Sequence, residues 1–278
     1  MPLAKLAERF GTPLYVYSSQ SIRERVRAFH QAFDKVDHTV CYSVKANSNL
    51  SILRLLANLG CGFDVVSGGE LQRVLRSKGA PRLSRSVRQG GIHRRTAGNI
   101  VFSGVGKTPD EMDAALRAGI LLFNLESASE LEALAACSAR LKRNALVAFR
   151  VNPDVPADTH PYISTGLHEH KFGVPLPQAV ELYSRAAKMK YLQVAGVSVH
   201  IGSQIMEFAP FSVAVDRVAD LVRQLRAAGH NIEYVDAGGG LGINYQDSSE
   251  DFPKRVSAYA QAVTKPLQGL GVKLLLEP

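Results

Sequence analysis

The stretch IVFSGVGKTPDEMDAALRAGILLFNL, residues 100–125, contains one complete strand–helix–strand unit. Its two apolar runs, near 100–104 and 121–125, are nearly continuous, which is typical of parallel strands buried on both faces. Between them, the segment 108–111 (TPDE) supplies a capping threonine, a proline and two acids where a helix begins, and Gly119 stands where that helix should end. This order predicts a β-α-β unit with parallel strands.

The same alternation of apolar run and amphipathic helix continues along the chain, and it predicts an α/β fold, a (β/α)8 TIM-type barrel spanning residues 1–278. An additional helix at about Ser19 to Phe33 precedes the first strand and is expected to complete the ring of helices. A doubly wound open sheet is the alternative, but the G-x-G-x-x-G turn that would favour it is missing after the first strand. The candidate strands lie near residues 40–45, 63–67, 100–104, 121–125, 145–151, 194–201, 233–237 and 272–277.

Composition narrows the class of protein. The 278 residues are 46% hydrophobic and 21% charged, which is globular, and no apolar run reaches the roughly 20 residues of a membrane helix. The N-terminus lacks the pattern of a secretory signal, so we expect a soluble, cytoplasmic protein that does not bind membranes. The three cysteines have no C-x-x-C spacing, and they predict buried free thiols rather than disulfides or a metal site.

The net charge of +8 does not indicate a nucleic-acid site. Five arginines crowd one segment between Arg82 and Arg95, and no aromatic residue lies among them to stack on bases. Connections from helix to strand usually take about 2–6 residues, so the long basic segment at about 82–98 is predicted to be an insertion loop on the barrel face away from the site.

Reactive groups of a (β/α)8 barrel lie at the C-terminal ends of its strands. Each polar residue there has an ordinary structural explanation by itself, because a lone lysine is usually solvated and a glycine run is usually a tight turn. Their predicted convergence on one cavity favours a functional site. These residues are Lys45, Asp64, Arg150, His200, Ser203, Asp236, Gly238, Gly239, Gly240 and Glu277.

One cofactor, pyridoxal 5'-phosphate, accounts for this set. It needs a lysine that forms a Schiff base with its aldehyde, and Lys45 follows an apolar stretch expected to desolvate its amine. Backbone N–H groups of the glycine run and the Ser203 hydroxyl suit a phosphate. His200 offers a flat ring, and Glu277 offers a carboxylate for the pyridine nitrogen, which strengthens the electron withdrawal that decarboxylation requires.

At these residues the chain resembles the barrel-type, alanine-racemase-like family of pyridoxal-phosphate-dependent decarboxylases, and within it the diaminopimelate decarboxylases most closely. The resemblance covers nearly the whole chain except about 82–98. The motifs that carry it are GTPLYVY (11–17), YSVKAN (42–47), FDVVSGGE (63–70), VFSGVGKT (101–108), FRVNP (149–153), HKFG (170–173), HIGSQ (200–204), GGGLG (238–242) and LEP (276–278).

The resemblance implies decarboxylation of meso-2,6-diaminopimelate to L-lysine in lysine biosynthesis. It implies Lys45 as the Schiff-base lysine, His200 on the cofactor ring and Glu277 at the pyridine nitrogen. Ser203 and the glycine run would bind phosphate, while Asp64 and Arg150 would support the site through a shared polar network. It also implies a homodimer for the full-length family and a small amino-acid substrate.

The family pattern E-P-G-R stops here at Pro278, and the C-terminal β domain that follows in the family is missing from the sequence. The resemblance therefore predicts a C-terminally truncated chain, which binds the cofactor weakly and turns over poorly. Two alternatives stay open on the sequence: a related decarboxylase of another amino acid, and a non-catalytic pyridoxal-phosphate-binding barrel.

Overall fold

The structure is a computed structural model that describes residues 2–77, 97–155, 172–245 and 251–278. The predicted insertion at about 82–98 lies outside the described residues except for its last two positions, as do the first two residues of the HKFG motif. The strands are β1 His38–Ser43, β2 Gly62–Val65, β3 Ile100–Phe102, β4 Leu122–Leu125, β5 Ala145–Asn152, β6 Val174–Pro175, β7 Leu192–Val199, β8 Tyr234–Asp236 and β9 Lys273–Leu276.

The helices alternate with these strands. They are α1 Leu3–Phe10, α2 Ser19–Ala32, α3 Leu50–Asn58, α4 Gly68–Arg76, α5 Pro109–Ala118, α6 Ala128–Leu141, α7 Leu176–Ala186, α8 Ala209–Ala227 and α9 Phe252–Thr264. None of the helices in the described parts of the chain is long and apolar enough to cross a membrane.

The parallel sheet closes into a barrel, in the order β4-β3-β2-β1-β9-β8-β7-β5, because β4 and β5 also pair with each other. This closure confirms the (β/α)8 fold and excludes an open sheet. All eight predicted strands are present within a few residues of their expected positions. The two-residue β6, whose partner among the described residues is the end of β5, was not predicted, because it is too short to show periodicity.

Local sequence signals set the helix boundaries. In α5, the Thr108 hydroxyl accepts from the Glu111 N–H while the Glu111 carboxylate accepts from the Thr108 N–H, which is the reciprocal capping box. Gly119 ends the same helix in the left-handed conformation, with φ of 69°.

The helix that precedes the barrel completes its outer ring, as predicted. The ring of Phe29 on α2 lies 6.2 Å from that of Phe252 on α9, and the Arg25 guanidinium lies 3.7 Å above the Phe252 ring. Phe33 contacts Tyr259 edge to face, so aromatic packing joins the first helix of the ring to the last.

The interior of the barrel is divided along its axis. Small and medium apolar side chains fill its lower part, including Cys41, Val101, Leu122, Ala148, Ala195 and Leu275. Above them, at the C-terminal ends of the strands, three acids lie close together: Asp64 and Asp236 are buried, and Glu277 is half-buried. Apolar packing thus fills the N-terminal part of the barrel interior, while the polar residues of the candidate site lie at its C-terminal end.

Candidate active site

The structure brings most of the predicted site residues together at the C-terminal end of the barrel. Asp64 is the third residue of β2, Arg150 lies near the end of β5, and His200 and Glu277 directly follow β7 and β9. Lys45 lies in a short 3-10 turn, Val44–Ala46, just beyond β1 rather than in the strand itself.

Lys45 differs from its prediction in one respect. Its side chain is exposed, so the expectation of an amine desolvated by apolar neighbours is wrong in this structure. The apolar residues before it point into the fold from β1, whereas the turn carries Lys45 out onto the open rim of the barrel. Its charge still acts on the site, because it lowers the pKa of Asp64 against a larger upward effect of burial.

Three acids crowd the centre of the barrel. Burial raises the pKa of Asp236 to about 6. Burial, reinforced by Asp236 and Asp64, raises the pKa of Glu277 well above its ordinary value. Asp64 accepts a hydrogen bond from the Ser43 hydroxyl at 3.0 Å, yet its other carboxylate oxygen is buried without a partner among the described residues. The cluster therefore needs a proton or a cationic ligand to offset its negative charge.

Two neutral side chains that sequence reasoning missed hold this cluster. The Asn124 amide donates to Asp236 at 2.6 Å and to the Ser103 oxygen at 3.1 Å, and the Ser103 hydroxyl donates to Glu277 at 2.9 Å. Ser103 directly follows β3, and Asn124 lies in β4 one residue before its end. The sequence did offer a signal for both residues, because each is a polar residue at the C-terminal end of a buried strand. The same criterion found the site residues of the other strands, but it was not used for β3 and β4.

His200 is held as a neutral imidazole. Burial, together with the charges of Arg150 and Lys45, lowers the pKa of His200 to about 3. Its Nδ1 atom accepts a hydrogen bond from the Gly239 N–H at 3.2 Å, which places the ring proton on Nε2. The Arg150 guanidinium donates to the His200 carbonyl at 3.3 Å and so fixes the backbone at this strand end.

Arg150 and Asp64 have different immediate partners, and the hydrogen bonds that connect them run through several other residues of the site. Arg150 forms a buried ion pair with Glu126 at 2.9 Å, while Asp64 bonds to Ser43. Glu126 follows β4, and its backbone N–H donates to the Glu130 carboxylate of α6. Glu126 and Glu130, which are also absent from the predicted set, link Arg150 to α6 and, through Lys107, to Asn124.

The glycine run forms a densely packed turn. A Cβ atom on Gly239 would lie 2.1 Å from the Glu277 carbonyl oxygen, and one on Gly240 would lie 2.2 Å from that of Gly202. The N–H groups of Gly238 and Gly239 already donate to Asp236 and His200. Of the three N–H groups expected to face a phosphate, only that of Gly240 lacks an acceptor in the described part of the chain.

Ser203 lies beside this turn. The Ile205 N–H donates to the Gly240 carbonyl at 2.9 Å, which ties the loop after β7 to the glycine run, and the Ser203 side chain is exposed. An exposed amine, a neutral ring, a buried acid cluster and open N–H and hydroxyl donors thus occupy one face. This donor set, with its unpartnered Asp64 oxygen, fits a cofactor that carries an aldehyde, an aromatic nitrogen base and a phosphate.

Comparison with known proteins agrees with this chemistry. Residues 19–278 match the model of the pyridoxal-dependent decarboxylase family, pyridoxal binding domain, so the chain belongs to this family, and the predicted cofactor class is confirmed. The diaminopimelate decarboxylases of Pseudomonas aeruginosa and Neisseria meningitidis are each 46% identical to it, over 99% and 100% of the chain. The chain spans only 62% and 64% of their lengths.

A solved structure shows the same fold. The diaminopimelate decarboxylase of Helicobacter pylori, crystallised in complex with L-lysine, superposes with a TM-score of 0.88 at 38% identity. The match covers 100% of this chain and 66% of that one, so it concerns the barrel and leaves a third of the relative without a counterpart here.

Proposed function

We propose that this chain forms the pyridoxal-phosphate-binding barrel of an enzyme that decarboxylates meso-2,6-diaminopimelate to L-lysine. The observation that carries the proposal is the Glu277 carboxyl at the C-terminal end of the barrel, beside Asp236 and Asp64 and in hydrogen-bond contact with Ser103. An acid favours a protonated ring nitrogen, whereas a racemase would be served by a cationic partner such as arginine. The names of the relatives, and the L-lysine bound in one of them, support the choice of substrate.

Each predicted residue then has a role. Lys45 attaches the cofactor aldehyde, and its exposure leaves it accessible from the open face. His200 would present its neutral ring to the flat face of the cofactor, while the Ser203 hydroxyl and the Gly240 N–H of the turn Gly238–Gly240 would bind its phosphate. When bound, the cofactor supplies an electron sink for the electron pair left by the departing CO2.

Two further residues, Asp64 and Arg150, support these roles. Asp64 adds negative charge beside Glu277 and faces the Lys45 amine. Arg150 holds the backbone of His200 and favours its neutral form, so that the ring keeps its orientation. In the whole protein we expect a homodimer in the cytoplasm, which agrees with three cysteines that are free and buried.

An absorbance titration of the purified chain with pyridoxal phosphate tests the cofactor site. We expect a visible band that is lost in Lys45→Ala and kept in Lys188→Ala. Lys188 is a matched control because it is also exposed but follows α7, away from the strand ends that carry the site. A band that persists in Lys45→Ala would overturn the assignment of this lysine.

Release of CO2 from meso-diaminopimelate, compared with other amino acids, tests the substrate. The result should be measured on the chain alone and on the chain supplemented with the C-terminal domain of a relative. Faster release from another amino acid would favour a related decarboxylase. Lysine-dependent cofactor binding without release from any substrate in either sample would favour a non-catalytic binding barrel.

A further inference from the structure

The hydrogen bonds around Glu277 have a fixed direction. The Asn124 NH2 group has two hydrogens and no acceptor capacity, and it reaches Asp236 Oδ2 at 2.6 Å and Ser103 Oγ at 3.1 Å. While Asp236 is ionised, the opposite amide orientation would place an oxygen 2.6 Å from a carboxylate oxygen. The assigned orientation is then the favourable one, although it leaves Asn124 Oδ1 buried without a partner in the described structure. The Ser103 oxygen therefore accepts from Asn124, and its single hydrogen is directed at Glu277 Oε1, 2.9 Å away.

We infer that Asn124 and Ser103 are positioning residues, which make Oε1 of Glu277 a permanent acceptor and confine the exchangeable proton of this acid to Oε2. This inference rests on the proposed function, in which Glu277 meets the ring nitrogen of the cofactor. A proton confined to Oε2 would give the ring nitrogen a defined donor atom, and the Ser103 hydroxyl would stabilise the ionised form of Glu277.

Other titratable groups around Glu277 share or compete for its hydrogen bonds. The Glu277 carboxyl is also hydrogen-bonded to Asp236, so one proton serves two acids. Asp64 also lies close enough to Ser103 to accept from its hydroxyl, while the hydroxyl hydrogen bond of 2.9 Å runs to Glu277. The other titratable groups that face the cluster are Cys41 on β1, Tyr259 on α9, and Lys45 and Lys107 on the loops after β1 and β3.

Unfolding of the cofactor-free chain in urea, followed from about pH 5 to about pH 8, tests the inference. In Ser103→Ala the ionised form of Glu277 loses its donor, whereas the protonated form loses less. The folded-to-unfolded ratio of this variant, divided by that of wild type, should therefore be about tenfold lower at pH 8 than at pH 5.

Three other variants make the result specific. Ser138→Ala removes a buried hydroxyl that has no partner in the described structure, and its deficit should not change with pH. Ser103→Thr keeps the hydroxyl and should follow wild type. Asn124→Leu, which cannot donate and adds no titrating group, should repeat the growing deficit, and it replaces Ser103→Ala if that variant does not fold.

A deficit that is the same at every pH in both Ser103→Ala and Asn124→Leu would overturn the inference. The measurement does not involve cofactor, so it is separate from the proposed function. If the pH-dependent deficit is found while the lysine-dependent absorbance band is absent, the positioning of Glu277 stands and the cofactor assignment fails. The reverse pair of results would retain the cofactor site and remove the roles of Ser103 and Asn124.

Discussion

Replacing Lys107 by methionine should destabilise the fold strongly. Lys107 follows β3, and its side chain is only 1% exposed. Its ammonium donates to the Gly104 and Asn124 carbonyls, each at 2.6 Å, and to Glu130 Oε2 at 3.1 Å, so all three hydrogens are used. Methionine fills a similar volume but leaves the buried Glu130 carboxylate without a counter-charge.

The expected loss follows from that uncompensated charge. Breaking a buried ion pair by removing one partner costs about 3–5 kcal/mol of the free energy of unfolding. Glu130 still accepts from the N–H groups of Gly106 and Glu126, which places the estimate towards the lower end, at about 3 kcal/mol. Adding Glu130→Gln removes the stranded charge, so the double variant should lose about 1–2 kcal/mol less than the sum of the two single variants.

Urea-induced unfolding, followed by circular dichroism at one pH, gives the free energies of unfolding of Lys107→Met, Glu130→Gln and the double variant relative to wild type. Lys188→Met, which alters an exposed lysine on the surface after α7, is the control and should change stability by less than about 0.5 kcal/mol. A loss below about 1 kcal/mol in Lys107→Met, or single effects that simply add in the double variant, would refute the role assigned to this ion pair.

Three further outcomes are expected. The pKa of His200 lies at about 3 in the fold, against an ordinary 6.5, so the unfolded chain takes up this proton first as the pH falls. The free energy of unfolding should therefore decrease between pH 6.5 and pH 3, by up to about 1.4 kcal/mol per pH unit. Urea titrations of His200→Gln should lack this contribution. The Tyr183 hydroxyl accepts from the Phe149 N–H at 3.1 Å and donates to the Gly196 carbonyl at 2.8 Å, where the register of β5 and β7 shifts; Tyr183→Phe should cost about 1–3 kcal/mol in the same assay, and a neutral result would show that the strands close this gap without it. Gly239→Ala places a Cβ against the Glu277 carbonyl and should cost about 1–3 kcal/mol with loss of cofactor binding, whereas Gly69→Ala, with its nearest contact at 3.8 Å, should do neither.

The order of the elements was readable from the sequence because it is recorded in local patterns. Continuous apolar runs mark strands buried on both faces, and the box at Thr108 and Glu111 marks a helix start whatever surrounds it. Even the position of the site followed, since parallel strands of a barrel deliver their C-terminal ends to one face. For this reason Asp64, His200 and Glu277 were found from sequence and lie together in the structure.

The sequence by itself thus determined the barrel, its strands and most of the residues at its mouth. Only the tertiary structure decided how those residues are held. It closed the sheet through β4 and β5, left Lys45 exposed, paired Arg150 with Glu126 and brought Asn124 and Ser103 to Glu277. These facts depend on distances between side chains far apart in the chain, and on burial that changes proton affinity, neither of which a local pattern records.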